Sequence, residues 1–369
     1  MPATIRDVAR ACGVHVSTVS RTFSAPNLVN PETRGRVLAT AEHLGYRPNR
    51  AARALITGRT TNLGLIVADI ANPYFPPMIK AAQSQARLRD HHVFVADTDE
   101  DPAVEEELVR ALATQVDGIV LCSPRMANGA IEVLAREVPL VVVNRVVADL
   151  PTVVMDVANG ARQAIDHLVG LGHRDLLYLG GPRGSWTNKE IRRSAVAVAR
   201  SHGVSLTVLD SVAPTEAGGA AAAEDVRRAW ATGRSASSRA GAVERAASSR
   251  AGATAVLAYN DLMAIGLLGA LKGLGLTVPG DISVVGIDDI PLSSAVQLTT
   301  VATPTAAAGR TAVDMLLRYD SPTRTGRGPG RPVVEQTIRT SAQTTLPTTL
   351  ITRQSTGPGP YEPASIHEE

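Results

Sequence analysis

The sequence predicts a small all-α head of helix-turn-helix type followed by an α/β body of two lobes, each built on a parallel sheet. Three observations carry this expectation. Residues 4–45 show helix-length apolar spacing interrupted by Gly13 and ended by Gly45. From Asn62 onward, short unbroken apolar runs alternate with helical stretches. With 369 residues and 44% apolar content, the chain is long enough for two or three domains of about 100 to 200 residues.

The head is justified element by element. Ile5, Val8, Ala9 and Cys12 fall on one helical face, and Thr4 with Asp7 three positions on makes a capping-box pattern. Gly13 supplies the turn. In the next helix Val19 and Phe23 face inward, while Val16, Ser17, Thr18 and Arg21 face outward. These outward residues are of the types that read base edges and phosphates in a major groove. Asn30 caps a third helix, Pro31 suits its first turn, Val37, Leu38, Ala41 and Leu44 form its apolar stripe, and Gly45 ends it.

Charge separates head from body. Residues 1–60 carry nine arginines against three acidic residues, a balance of +6, whereas the rest carries 28 basic against 32 acidic residues. A basic head on an acidic body is the asymmetry of a chain that meets a polyanion at one end. Arginine outnumbers lysine 34 to 3, which we attribute to GC-rich codon usage. Cys12 and Cys122 fall on a buried helix face and a buried strand, so no disulfide framework is expected and a reducing cytoplasm suits the chain. The amino terminus has no apolar signal core, and no run of 18 uncharged apolar residues occurs, which disfavours secretion and membrane insertion.

Between head and body, Asn49 to Ile56 is a stretch of helix formers with arginines, ended by Thr57 and Gly58. It is too short to be a stable helix alone, so its order is expected to depend on a partner. The body then runs strand Leu63–Val67, a helix through Lys80–Arg89, strand Val93–Val95, a helix from about Val104, and strands Gly118–Leu121 and Leu140–Val143. A second set follows with Leu176–Leu179, Ala255–Ala258 and Ser283–Ile287. Unbroken apolar strands separated by helices indicate parallel sheets covered on both faces, with a ligand cleft at the carboxyl ends of the strands. The segment Ala236–Ala242 recurs as Ala247–Ala253 and reads as a duplicated surface insertion. The tail from Gly357 to Glu369, with its Gly-Pro-Gly-Pro run, is expected to be disordered.

Several motifs, in order, resemble the lactose-repressor (LacI) family of bacterial transcription regulators. They are Thr4-Ile5-Arg6-Asp7-Val8-Ala9, Thr18-Val19-Ser20-Arg21, Gly45-Tyr46-Arg47-Pro48-Asn49, Asn72-Pro73-Tyr74-Phe75, Gly172-His173-Arg174, Asn260-Asp261, Ser283-Val284-Val285-Gly286 with Asp288-Asp289, and Arg353-Gln354-Ser355-Thr356. The resemblance covers residues 4 to about 356. It implies a homodimer that binds a pseudo-palindromic DNA operator, with a periplasmic-binding-protein-like core that senses a small molecule, by family habit a sugar. The implied layout is a helix-turn-helix domain over 1–48, a hinge helix and linker over 49–61, and a core over 62–356. Lobe 1 takes about 62–160 and 303–333, and lobe 2 about 161–302 and 334–356.

Carried over residue by residue, the resemblance makes Val16, Ser17 and Arg21 base readers and Thr18 a phosphate contact, with Thr4 also at the DNA. Leu55 matches a hinge leucine that wedges into the minor groove with its dimer mate, flanked by Asn49, Arg50 and Ala52; an apolar wedge of this kind kinks the duplex. In the core, Tyr74, Phe75, Asn144, Arg145, Trp186, Arg192, Asn260 and Asp288 match effector-facing positions. Each of the core positions also suits a turn or a cap, Asn260 especially. No cofactor or metal is implied.

Two departures stand out. His15 occupies the place where the family has a serine opening the recognition helix and contacting phosphate. In one register Ile191 occupies the place of the family's effector-binding arginine and Arg192, one residue later, points about 100° away on a helix; in a register shifted by one, Arg192 takes that place. Two rival readings are weaker. A periplasmic transport component would need a signal peptide and would not need the head. An enzyme would show a recognisable motif such as Gly-x-Ser-x-Gly or His-Glu-x-x-His, and neither occurs.

Overall fold

The computed structural model describes residues 3–47, 59–210, 213–237, 252–318 and 342–361. Asn49, Arg50, Ala52 and Leu55 of the expected hinge lie outside these residues, as does most of the duplicated insertion. Two compact units divide between Thr61 and Asn62.

Among the described residues the first unit has three α-helices: α1 Ile5–Cys12, α2 Val16–Ser24 and α3 Pro31–His43. Thr4 and Asp7 form the capping box, and Gly13 takes the left-handed conformation, φ 62°, that lets the chain turn into α2. Val8, Ala9, Cys12, Val19, Val37 and Ala41 make the core, closed by the tilted pair Phe23 and Tyr46 at 5.9 Å. The stripe of α3 is narrower than its sequence predicts. Leu38 and Leu44 are 43% and 37% exposed, because the small core is already filled by Val37, Ala41 and Tyr46.

The second unit holds two six-stranded sheets. The first uses β1 Asn62–Val67, β2 His92–Asp97, β3 Ile119–Cys122, β4 Leu140–Val143, β5 Thr152–Met155 and β11 Gln343–Leu346, in the order β11-β5-β4-β3-β1-β2. The second uses β6 Asp175–Leu179, β7 Ser205–Leu209, β8 Ala255–Ala258, β9 Ser283–Asp288, β10 Thr299–Ala302 and β12 Thr349–Ile351, in the order β12-β10-β9-β8-β6-β7. All pairings are parallel except β10 with β12. β1, β3, β4, β8 and β9 are almost wholly buried, as apolar strands covered on both faces must be.

Helices α4 Phe75–Arg87 and α13 Thr305–Arg318 pack on one face of the first sheet, and α5 Pro102–Ala113 and α6 Asn128–Leu134 on the other. In the second lobe α7 Val157–Gly170 and α8 Trp186–Ser201 cover one face, and α9 Glu216–Ala221, α10 Ala223–Ser237 and α11 Asp261–Gly273 the other. The short helix α12 Pro291–Ala295 follows β9. Among the described residues no helix is long and apolar enough to cross a membrane.

Among the described residues the chain passes between the lobes three times, after β5, after β10 and after β11. The crossings touch: Thr348 Oγ1 donates to the Asp156 carbonyl at 2.8 Å. A Cβ at Gly160 would lie 2.6 Å from Val301 Cγ1, so the approach there requires glycine.

Two expectations are corrected here. Residues 334–356 do not all belong to lobe 2, because β11 pairs with β5 of lobe 1 and covers an edge whose backbone groups would otherwise stay open. The tail is ordered to Tyr361. Gly359 N donates to the Leu171 carbonyl and Tyr361 N to that of Gly172, and His173, its pKa lowered to about 4 by burial, bridges Thr254 Oγ1 and the Gly357 carbonyl. The duplicated segment is likewise not all surface, since Ala253 packs in the second-lobe core.

Candidate functional site

At the carboxyl ends of the strands of both sheets lies a cleft open to solvent. Its position is the one expected of an open α/β fold. Three of its polar residues sit where a strand ends in left-handed backbone, Ser123 (φ 53°), Asn144 (φ 61°) and Asp288 (φ 125°), and Glu100 (φ 63°) has positive φ three residues beyond β2. Such backbone is costly for a residue with a Cβ and persists where the surroundings fix it, typically at sites. Here it turns each side chain off the sheet and into the cleft.

Asn144 is the hub on the first lobe. Its amide nitrogen donates to Tyr74 Oη at 2.6 Å and to Ser123 Oγ at 3.0 Å, so its carboxamide oxygen remains available to the cleft. Burial, with Asp288 nearby, raises the Tyr74 pKa well above its usual value, so the ring carries a neutral phenol whose proton can be donated. Phe75 meets Tyr74 edge to face at 5.0 Å.

From the second lobe come Thr187, Tyr259, Asn260 and Asp288. Asn188 braces the loop that leads into α8, whose first turn carries Thr187: its Oδ1 accepts from Tyr178 Oη and Gly181 N, and its Nδ2 donates to the Gly181 carbonyl. The Tyr259 ring lies so close to Gly181 that a Cβ there would be 2.4 Å away, and its hydroxyl meets Ser185 Oγ at 3.1 Å. Asn260 both caps α11, accepting from Met263 N at 2.9 Å, and lines the cleft. Asp288 differs from the others. Among the described residues nothing donates to its carboxylate, and burial followed by repulsion from Asp261 holds its pKa well above the carboxylate range.

Of the sequence-predicted residues, Tyr74, Phe75, Asn144, Asn260 and Asp288 meet in the cleft. Arg145, Trp186 and Arg192 do not line it. Arg145 follows the left-handed Asn144 and turns away, holding Asn128 Oδ1 and the carbonyls of Pro124 and Met126. Trp186 opens α8 half-buried beside the cleft. Arg192 lies on the outer face, 3.4 Å from Asp210, while Ile191 is fully buried in the core. Arg125, Glu100 and Tyr259 are cleft residues that the sequence reading missed. Arg125 and Glu100 each lie three residues beyond a strand end, which was the available signal.

On the head, Arg21 is exposed and Ser17 and Thr18 are partly so on the outer side of α2, whereas Val16 is shared with the core. His15 is the N-cap of α2, its Nδ1 accepting from Ser17 N at 3.2 Å. That role needs an unprotonated Nδ1 and leaves Nε2 free to donate outward.

Comparison with known proteins joins the two units. Residues 4–49 match the model of bacterial regulatory proteins of the lacI family, and residues 60–229 that of periplasmic binding proteins and the sugar-binding domain of the LacI family. Residues 165–356 match a periplasmic binding protein-like domain. The transcriptional regulator GalS of Salmonella typhimurium is 30% identical over 323 residues, covering 85% of this chain and 89% of its own. The chain belongs to the LacI family. Catabolite control protein A of Priestia megaterium is 30% identical over 331 residues, covering 86% and 93%. Among solved structures, a lac repressor dimer bound to operator and an anti-inducer matches with TM-score 0.78 at 24% identity over 97% of this chain and all of that one. A complex of the regulator CelR with cellobiose matches with TM-score 0.62 at 26% identity over 96% and 99%. Within this family framework, Ile191 leaves α8 without an arginine toward the cleft, and the cleft guanidinium belongs to Arg125 of the opposite lobe.

Proposed function

We propose that this LacI-family chain is a repressor that binds a pseudo-palindromic operator as a homodimer and releases or engages it according to a small polyhydroxylated molecule, a sugar in the first instance, held in the cleft. The observation that carries this reading is the pairing, in one chain, of a basic helix-turn-helix head with a cleft whose polar groups are aimed and unspent. On the head, Ser17 and Arg21 with Val16 read bases, and Thr4, His15 and Thr18 hold phosphates. Asn49, Arg50, Ala52 and Leu55 form the hinge that enters the minor groove. In the cleft, Tyr74, Phe75, Asn144, Asn260 and Asp288 contact the effector.

The operator-bound lac repressor dimer and the cellobiose complex of CelR support this assignment of partners. The site binds rather than turns over its ligand, and the chain works in the cytoplasm, where its DNA is. Effector binding changes the angle between lobes about the three crossings, and with it the spacing of the paired heads. Selection of duplexes from a random pool by purified full-length protein, at near-physiological salt and without ligand, tests the reading. A palindrome with a flexible pyrimidine-purine step at its centre is the expected product. Enrichment of a single asymmetric half-site would overturn the dimer, and no sequence enrichment with or without candidate sugars would overturn specific binding.

A further inference from the structure

We propose that Arg125, clamped by Glu100, is the effector anchor of this cleft, and that the pair selects an uncharged hydroxyl-rich ligand over its acidic or phosphorylated counterparts. The inference rests on reading the cleft as an effector site. Arg125 lies in the loop after β3, its side chain 9% exposed and at the cleft wall. Its Nε and Nη2 both donate to the Glu100 carboxylate, and Nη1 donates to the Ser123 carbonyl at 2.8 Å. A guanidinium has five N–H groups in a fixed fork, so two remain unspent.

The loop is built to hold this fork in place. Glu105, a buried carboxylate on α5, accepts from the backbone nitrogens of Arg125 and Met126, each at 2.9 Å. From the other side, Arg145 donates to the carbonyls of Pro124 at 3.1 Å and Met126 at 2.7 Å. Two further charged residues are thus committed to the backbone flanking one arginine. Isolated charges are expensive to bury, and a mere surface loop has no need of such bracing. Among the described residues of the opposite lobe no cation competes for the role, since Ile191 is buried and Arg192 turns outward to Asp210.

Selectivity follows from the charge inventory. Glu100 neutralises Arg125, so among the described residues no unpaired positive charge faces the cleft, and the one ionisable group without a partner there is the Asp288 carboxyl. A phosphate or carboxylate would have to displace Glu100 and approach Asp288. A neutral polyol would instead accept from the two free N–H groups and donate to Glu100 and Asp288.

Full-length protein is titrated by calorimetry and thermal shift with a panel of neutral aldoses, ketoses and disaccharides, each beside its sugar acid or phosphate ester. At least one neutral member should bind, with its acidic counterpart at least tenfold weaker. Arg125→Met should lose at least tenfold in affinity for the neutral binder. Glu100→Gln should shift preference toward the acidic counterpart, a change of selectivity that lost packing does not produce, and it decides the matter if Arg125→Met does not fold. An acidic counterpart that binds wild type more tightly, or an Arg125→Met protein of unchanged affinity, overturns the anchor while leaving the effector reading intact. If nothing in the panel binds, the effector reading itself fails, and the anchor with it.

Discussion

Asp288→Asn should make this protein more stable and less able to bind its effector. The carboxylate stands at the end of β9 in left-handed backbone, with no donor among the described residues, and burial and Asp261 both oppose its charge. The side chain is only half-buried where it faces the cleft, so solvent screens part of this cost. Asparagine keeps the shape, tolerates the positive φ and removes the charge, so a gain of up to about 1 kcal/mol is expected at neutral pH. The sign against pH follows from linkage. A carboxyl whose folded pKa is raised contributes stability that is fully present below the unfolded value, near 4, and lost as pH rises through the folded value. Wild type and variant should therefore unfold together at about pH 4 and diverge as pH rises. Melting temperatures across a pH series read this directly, at roughly 2 °C or more per kcal/mol. A variant less stable than wild type at neutral pH, or a difference that does not change with pH, would show that the carboxylate is satisfied in solution.

Four other substitutions probe separate links. Gly219→Ala should destabilise the second lobe by about 1 to 3 kcal/mol or more, because the new Cβ would lie 1.9 Å from the Met263 carbonyl where α9 crosses α11; unchanged denaturant midpoints would show that these helices part freely. Glu105→Ala strips the acceptor from two buried N–H groups and should cost about 2 to 5 kcal/mol together with effector affinity, read by urea unfolding and calorimetry. Arg21→Ala should relax preference at one position in each half-site by about 1 to 3 kcal/mol, and an unaltered selected sequence would reduce Arg21 to a backbone contact. Leu55→Ala should weaken operator binding far more than nonspecific binding in gel-shift titrations; equal losses on both DNAs would remove the wedge.

What the sequence made legible follows the strength of its local signals. The buried central strands, such as Ile119–Cys122 and Leu140–Val143, stood out because a strand covered on both faces must be apolar throughout. β10, β11 and β12 did not stand out, being short and rich in threonine rather than unbroken apolar runs, and the buried Thr300 hydroxyl finds its acceptor only in the distant Asp261. The head was read closely because capping residues and αL glycines act within a few positions. In the cleft, Tyr74, Asn144 and Asp288 came through the family motifs, whereas Arg145 and Arg192 misled. A guanidinium adjacent in sequence to a cleft residue points wherever the local backbone turns it, and motif order does not carry that direction. Arg125 escaped notice for the converse reason. Its role depends on Glu100 and Glu105, 25 and 20 residues upstream, which only the fold brings to it.

The left-handed strand ends also set how this cleft can diversify. Ser123, Asn144 and Asp288 occupy backbone that few residue types tolerate, so a bulky or branched replacement there meets a conformational cost before any ligand is considered. Arg125, Thr187 and Tyr259 have no positive φ and are free of that restriction. A lineage changing its cleft ligand, or an engineer building a sensor on this scaffold, would find its accessible alphabet at those three places, with the strand ends supplying a fixed polar floor beneath them.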